Sequence, residues 1–401
     1  MESLQTMQAI VMAGGMGSRM QSKNLPNLPK VLHEIQGEAM IYRIVKKVVS
    51  LGIPKVFVVC GVYQEEIKDC LTSTDEFSSV DITYVDQLVP QGTGHAIMQC
   101  IPYIAEHEDT TTLILNGDTP LINKALDTFV MSPVPSLMVT KLANPAGQGR
   151  IVISDTGKFQ RIVEDKDASD EEKDIKTVNC GVYLVSTKDL LKYIPLLDNN
   201  NAQNEYYLTD ICAKLSDKLH LYEVAPELQY ELINVNNPQE LRQANLVLLE
   251  NSFKDIDMTI RPLKDTDYET GYIELMGQLS DTIDINSNAQ FSKLLSNIKK
   301  NDNHYIFVVE DTTNGRVVAN VTLLVEPKFI RSGRNVGHIE DVVVHSDYRG
   351  KKIGVLLLKY VSEVAIEKGC YKCILDCKHE LLSFYKASGF SHSAIQMSKY
   401  Y

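Results

Sequence analysis

Up to residue 253, short apolar runs alternate with longer amphipathic stretches. Residues 9–13, 55–60, 82–86 and 111–115 predict strands, whereas 95–106 and 238–253 place apolar residues every three or four positions and predict helices. That alternation is the signature of an α/β sheet with parallel strands. Between them, the charged residues 170–173 predict a solvated loop. Residues 254–257 lack a turn-rich spacer, so a short connection is expected before the pattern restarts at Met258. From there, strands are predicted at 305–310, 317–325 and 339–345, with a hairpin turn at 313–316. A long apolar helix at 355–368, a strand at 372–377, a helix containing Phe384, Tyr385 and Lys386, and a last strand at 395–399 complete the pattern.

Glycine-rich turns stand where predicted strands end. The first strand runs through Ala13 into Gly14, Gly15 and Gly17, then Arg19 and Lys30. Glycines let the backbone turn with its N–H groups outward, where they cradle anions, and arginine and lysine add a planar fork and a point charge for phosphate. The string has neither the closing Gly-Lys-Ser/Thr of a P-loop nor the third glycine of a dinucleotide fingerprint, since Met20 stands there. A second such turn, Gln91-Gly92-Thr93-Gly94, follows the strand at 82–86. The strand at 111–115 runs into Asn116-Gly117-Asp118, which puts a carboxylate just past a strand's carboxyl end, the edge where ligands collect in open α/β sheets. Asp118 is a hard oxygen ligand suited to magnesium and Asn236 could supply a second, although an Asn pair before Pro238 also suits a helix cap.

In the second half, the turn Arg349-Gly350-Lys351-Lys352-Ile353-Gly354 opens the long helix after a strand ending in Val342, Val343 and Val344. Backbone N–H groups, a helix N-terminus and basic side chains converge there, which suits a pyrophosphate such as that of coenzyme A.

The 401 residues exceed one ordinary core, and the break in pattern divides them into domains 1–255 and 256–401. With 40 basic against 52 acidic residues the net charge is −12, which argues against nucleic acid or a membrane surface as partner. No apolar run reaches the length of a membrane span, and the first eight residues lack a signal-peptide pattern, so a soluble, cytoplasmic protein is expected. Eight cysteines are sparse and read as reduced packing residues. Cys370, Cys373, Cys377 and His379 invite a zinc reading, but a strand over 372–377 would spread these ligands along it.

The segments AGGMGSRM, LPKVLHEIQGEAM, QGTGHA, NGDTPLI, GQGRIV, IVEDKDAS, NCGVY, NNNAQNEYYLTDI and VNN, in that order over residues 7 to about 250, resemble the uridylyltransferase domain of bacterial-type N-acetylglucosamine-1-phosphate uridylyltransferases. The resemblance implies a Rossmann-like nucleotidyltransferase domain. In it, Ala13, Gly14, Gly15, Gly17 and Thr93 would line the nucleotide, Arg19 and Lys30 contact the triphosphate, and Gln87 and Gly92 the uracil. Asp118 and Asn236 would hold Mg2+, and Gly149, Glu164 and Asn179 the N-acetylglucosamine moiety. The implied substrates are UTP and N-acetylglucosamine 1-phosphate, the sugar phosphate attacking the α-phosphorus without a protein nucleophile. Pro90 and Asn116 replace a polar base-contacting residue and a tyrosine of that family, and Pro238 follows the Asn pair.

Residues 258–401 resemble the GNAT superfamily and, within it, eukaryotic-type glucosamine-6-phosphate N-acetyltransferases, through IRPL, GQL, VED, KFI, EDVVV, RGKKIG, ILDC and FYKASGF. A GNAT fold, acetyl-CoA and glucosamine 6-phosphate are implied. Val342, Val344 and residues Arg349 to Gly354 would hold the coenzyme, Tyr385 would protonate the departing thiolate, and Glu340 and Asp376 would orient or deprotonate the amine. Lys399 would help bind the sugar phosphate across a homodimer formed by this domain, and Lys352 stands where the superfamily has its second glycine. Both halves thus point to UDP-N-acetylglucosamine synthesis. The alternatives are another amino sugar, glucosamine 1-phosphate as acceptor in the second domain, or a half that is inactive and regulatory.

Overall fold

A computed structural model describes residues 4, 6–15, 17–20, 28–280, 285–397 and 399. The chain forms two compact units, Met1–Ala244 and Asn245–Tyr401.

In the first unit, β1 (Met7–Met12) lies between parallel β2 (Lys55–Cys60) and β4 (Thr111–Asn116), and β2 pairs in parallel with β3 (Asp81–Asp86). The chain therefore fills one side of β1 and then crosses to the other, leaving a crevice at the carboxyl ends of β1 and β4, where ligands sit in such sheets. Beyond β4 the sheet continues with β5 (Ser136–Lys141), β8 (Thr177–Ser186) and β9 (His220–Glu223). Here β8 is antiparallel to β4 and β5, and β9 parallel to β5. The hairpin β6 (Arg150–Ile153) and β7 (Phe159–Val163) attaches through β8.

Both faces of β1 are covered. Ala9 and Val11 point into one apolar cluster and Ile10 into the other, so the strand reads as a continuous apolar run. Helix α1 (Met40–Ser50) covers the first face with Ile41, Ile44, Val45 and Val48, and α2 (Thr93–Ile104) the second with Ala96, Ile97 and Cys100. Helix α3 (Pro238–Lys254) begins in this unit, and its later residues Leu246 and Phe253 belong to the core of the second.

The second unit is a five-stranded sheet in the order β10 (Met258–Pro262), β11 (His304–Asp311), β12 (Arg316–Glu326), β13 (Asn335–Val344) and β14 (Cys370–Ile374). All neighbours are antiparallel except β13 and β14. Leu357, Leu358 and Val361 of α4 (Ile353–Glu367) pack on it. The α/β class, the long helix and the central strands of both halves agree with the sequence pattern.

Three local expectations are corrected. Residues Asp170–Lys173 form a helical turn, because Ser169 and Glu172 close a capping box around its first N–H groups. The strand expected at 372–377 instead ends at Ile374, where its parallel pairing with β13 ends at His338. No strand forms at 395–397 or at 399. Ile395 and Met397 are almost fully exposed and have no neighbouring strand among the described residues to pair with, and Ser398 lies outside those residues. No helix among the described residues is long and apolar enough to cross a membrane.

Candidate active sites

At the crevice beside β1, the first glycine loop is built by close approach. Ala13 N donates to Val59 O at 2.8 Å and Gly117 N to Met12 O at 2.8 Å, tying the ends of β1, β2 and β4 together. Gly17 adopts φ +61°, and a Cβ there would lie 2.6 Å from Lys30 Cβ, so glycine lets the loop rest on the lysine. Arg19 is exposed on the following turn, Ser18–Met20, which buried Met20 anchors.

Lys30 Nζ lies 2.6 Å from Asp118 Oδ2 and 3.1 Å from Asn236 Oδ1. Three segments far apart in the chain thus converge on one point. The neighbouring Asn237 caps α3 by accepting from Gln239 N and Glu240 N, which leaves Asn236 to face the crevice. Asp118 Oδ1 is buried and has no hydrogen-bond partner among the described residues. A carboxylate with one oxygen unspent, sharing Lys30 with an amide oxygen, is by its chemistry a donor set that fits Mg2+, which takes few protein ligands and favours oxygen.

Further along the crevice, the second turn meets the first loop. Gln87 is buried, its Nε2 donates to Gly92 O at 3.1 Å, and its Oε1 would lie 2.8 Å from a Cβ on Gly14. The same Nε2 is 3.1 Å from His95 Nδ1. Gly92 has φ +103° and rests against Tyr206, and Thr93 Oγ1 accepts from Leu208 N at 3.1 Å. Gln87 therefore joins the two turns, with its amide nitrogen engaged inside the protein.

Gly149, Glu164 and Asn179 are also brought together. Asn179 N donates to Gly149 O at 2.9 Å, and a Cβ on Gly149 would lie 3.4 Å from the Glu164 carboxylate. Glu164 accepts from Thr209 Oγ1 at 2.9 Å, and burial pushes its pKa up, with Asp210, Asp167 and Asp165 adding to the rise. Beside it, Arg150 is buried and paired with Asp165 at 2.7 Å. Asn116 lies against Gly181, whose φ is +71° and whose Cβ would fall 2.1 Å from Asn116 Nδ2.

In the second unit, register slips between Asn320 and Thr322 opposite a bulge in β13. Asp341, at φ +52°, occupies the bulge, and Asn320 Nδ2 donates to its carbonyl at 2.9 Å. Val342 and Val344 follow, beyond the last pair with β14, so the two parallel strands part where Glu340 and Asp376 stand exposed. Although its side chain reaches solvent, partial desolvation raises the Glu340 carboxyl, and the charges of Asp376 and Asp341 raise it further. Tyr385, on α5 (Leu382–Ala387), is buried against Phe384 and Phe390, and burial keeps its hydroxyl protonated to higher pH than usual.

The basic turn before α4 is held from below. Tyr348 OH donates to Asp311 Oδ2 at 2.7 Å, Lys351 Nζ lies 4.9 Å from the Tyr348 ring, and Arg349 Nε donates to Val344 O at 3.1 Å. Gly350 has φ +84°, and Lys352 is left-handed at φ +62°, the conformation glycine provides without cost. Ile353 is buried, and Gly354 admits the Phe384 ring, which a Cβ would meet at 2.9 Å. Lys399 is exposed.

Glu231 and Asn234 lie outside every motif of the sequence, and Thr119 and Asp311 lie within quoted motifs that give them no role. Their work is to hold other segments, and nothing in their local pattern marks a buried carboxylate or amide.

The crevice where Lys30, Asp118 and Asn236 meet and the parted sheet beside the basic turn before α4 are two candidate sites, one in each unit. The Nucleotidyl transferase family model matches residues 8–232, and that of the Acetyltransferase (GNAT) family matches 273–390. The chain belongs to the nucleotidyl transferase family, through its first unit, and its second unit carries the acetyltransferase match. It is 36% identical over 241 residues to a probable UDP-N-acetylglucosamine pyrophosphorylase of Acanthamoeba polyphaga mimivirus, covering 58% of this chain and 92% of that protein. It is 38% identical over 250 residues to the bifunctional protein GlmU of Geobacillus sp. (strain WCH70), covering 60% of this chain and 52% of that one. The chain therefore spans about half the length of that bifunctional relative. A crystal structure of glucosamine-6-phosphate N-acetyltransferase from Arabidopsis thaliana is similar at 40% identity, covering 36% of this chain and 98% of that one, with TM-score 0.35.

Proposed function

We propose that the first unit joins UTP to N-acetylglucosamine 1-phosphate, releasing pyrophosphate, and that the second transfers the acetyl group of acetyl-CoA to glucosamine 6-phosphate. The observation that carries the first assignment is the convergence of Lys30, Asp118 and Asn236 with one Asp118 oxygen unspent. The ordered motifs of residues 7 to 250, and the similarity to a probable UDP-N-acetylglucosamine pyrophosphorylase, support the substrates.

In the first reaction a phosphate oxygen of the sugar phosphate attacks the α-phosphorus, a P–O bond forms, and the bond to the β-phosphate bridging oxygen breaks. Arg19, Lys30 and the loop N–H groups spread the charge of the reacting phosphates, and Gln87 with Gly92 seats the base. Asp118 and Asn236 would hold Mg2+, which when bound neutralises charge on the phosphates. Gly149, Glu164 and Asn179 seat the sugar.

In the second reaction the amine nitrogen attacks the thioester carbonyl carbon, a C–N bond forms and the C–S bond breaks. Glu340 and Asp376 take the ammonium proton, directly or through water, and Tyr385 gives its proton to the thiolate. The turn from Arg349 to Gly354 holds the coenzyme pyrophosphate beside Val342 and Val344. The motif resemblance of residues 258–401 supports a 6-phosphate acceptor, and with it a homodimer in which Lys399 reaches the sugar phosphate.

The test is to incubate the purified chain with UTP, Mg2+ and N-acetylglucosamine 1-phosphate, and separately with acetyl-CoA and either glucosamine 6-phosphate or glucosamine 1-phosphate, identifying products by mass. UDP-N-acetylglucosamine in the first and acetylation of the 6-phosphate alone in the second are expected. Acetylation of the 1-phosphate alone would overturn the acceptor assignment, and sedimentation of the chain as a monomer would overturn the dimer.

A further inference from the structure

Glu231 is fully buried, on the turn Pro226–Leu232, yet no substrate role falls to it. Its carboxylate accepts three backbone N–H groups, from Asn123 at 2.7 Å, Lys124 at 3.0 Å and Ala125 at 2.9 Å. These belong to the start of the short helix Lys124–Phe129, which has no side-chain cap of its own. Two further bonds join the same segments closer to the crevice. Thr119 Oγ1 donates to Asn234 Oδ1 at 2.8 Å, and Val235 N donates to Asp118 O at 2.8 Å. The staple ends at Asn236, whose N donates to Glu240 Oε2 at 2.6 Å and whose Oδ1 faces Lys30.

Asp118 and Asn236 therefore reach the same point because the chain around residues 231–235 is fastened to the chain around 118–125. We propose that Glu231 is a positioning residue for the magnesium-binding pair, setting the distance between the Asp118 carboxylate and the Asn236 amide without touching substrate. This inference rests on the nucleotidyl-transfer reading of the crevice. Such supporting contacts tune metal affinity more than intrinsic rate, because excess metal compensates for a site that is looser before binding.

Two variants test it. Glu231→Gln preserves shape but offers one acceptor oxygen where the N–H groups use two, and Thr119→Val removes one of the bonds nearer the crevice without burying or exposing a charge. For each folded variant, Mn2+ binding in the presence of UTP is measured by the loss of the free-ion paramagnetic resonance signal. The Mg2+ dependence of uridylyl transfer is measured beside it, and acetyl transfer by the same chain serves as an internal control. Glu231→Gln is expected to weaken Mn2+ binding and raise the Mg2+ requirement by roughly 10- to 100-fold, with kcat at saturating Mg2+ nearly retained and acetyl transfer unchanged. Thr119→Val moves the same quantities in the same direction by less. Unchanged metal binding in Glu231→Gln, or a fall in kcat that excess Mg2+ does not restore, overturns the proposal. If Glu231→Gln does not fold, unchanged metal binding in Thr119→Val overturns it. Failure of the unaltered chain to bind Mn2+ with UTP would instead sink the reading of the crevice itself.

Discussion

Lys30 and Asp118 stand 88 residues apart in the chain, and their side chains meet at 2.6 Å. The ammonium touches one carboxylate oxygen, and the other has no partner among the described residues. A site that must hold several negative phosphates thus keeps a protein anion in their midst, which makes sense where that anion answers to a second cation.

The Asp118→Asn substitution tests this. It keeps the shape and removes the charge, and uridylyl transfer is expected to fall by roughly 100- to 1,000-fold at any Mg2+ concentration. Acetyl transfer by the same polypeptide should be unaltered. Near-normal pyrophosphate release would remove Asp118 from the reaction.

Gly17→Ala probes how the loop rests on the lysine. The added Cβ would fall 2.6 Å from Lys30 Cβ at a backbone with φ +61°, so either the loop or the lysine must move. Positive-φ strain in a residue other than glycine costs about 1–3 kcal/mol. The expected result is at least a tenfold rise in KM for UTP, roughly what 1.4 kcal/mol produces, measured by initial rates.

The Glu340 carboxyl is raised by partial desolvation and by the neighbouring charges of Asp376 and Asp341. Acting as a base it must be ionised, so acetyl transfer should be lost as pH falls through a pKa above the ordinary glutamate range. Asp376→Asn removes one of the charges that raise it, and the acid limb of kcat/KM for acetyl transfer should then move to lower pH. A limb that stays or rises would show that another group carries it.

Lys352 holds a left-handed backbone at φ +62°, which costs a side-chain-bearing residue about 1–2 kcal/mol. Lys352→Gly should raise the melting temperature of the acetyltransferase unit while raising KM for acetyl-CoA, because the same change relieves strain and removes a cation. Calorimetry and initial rates read the two effects separately.

Asp311 links stability to pH more directly. Its hydrogen bonds from Thr313, Tyr348 and Asn314 hold its pKa down to about 2. A carboxyl depressed on folding contributes stability that is complete above its unfolded pKa and is lost as pH falls through the folded one. Asp311→Asn should therefore flatten the acid-unfolding curve of the second unit between about pH 4 and pH 2.

Much of this was legible in the chain because strand ends, glycines and phosphate-binding cations are local signals. Ala9 to Ala13 is apolar on both faces, and Asp118 follows a strand directly, so both could be placed without knowing their neighbours. The bulge at Asp341 left no such mark, since its left-handed turn arises from a mismatch between β12 and β13 and not from a glycine. Glu231 was equally hidden. A glutamate in an ordinary mixed stretch gives no sign that three backbone donors over a hundred residues earlier will meet it. The expected strand at 395–399 shows the converse, because alternation by itself supplies no partner for a strand to pair with.

Phe253 is fully buried in the core of the second unit, five residues before the pattern restarts at Met258. Anyone dividing the gene at the apparent restart of the motif would deprive the acetyltransferase of that ring, and of Leu246 with it. A fragment that keeps both side chains with the second unit begins at or before Asn245, inside a helix whose first turns follow Asn236. The two catalysts thus share one uninterrupted helix, and a recombination that exchanged one of them intact would need its crossover within it.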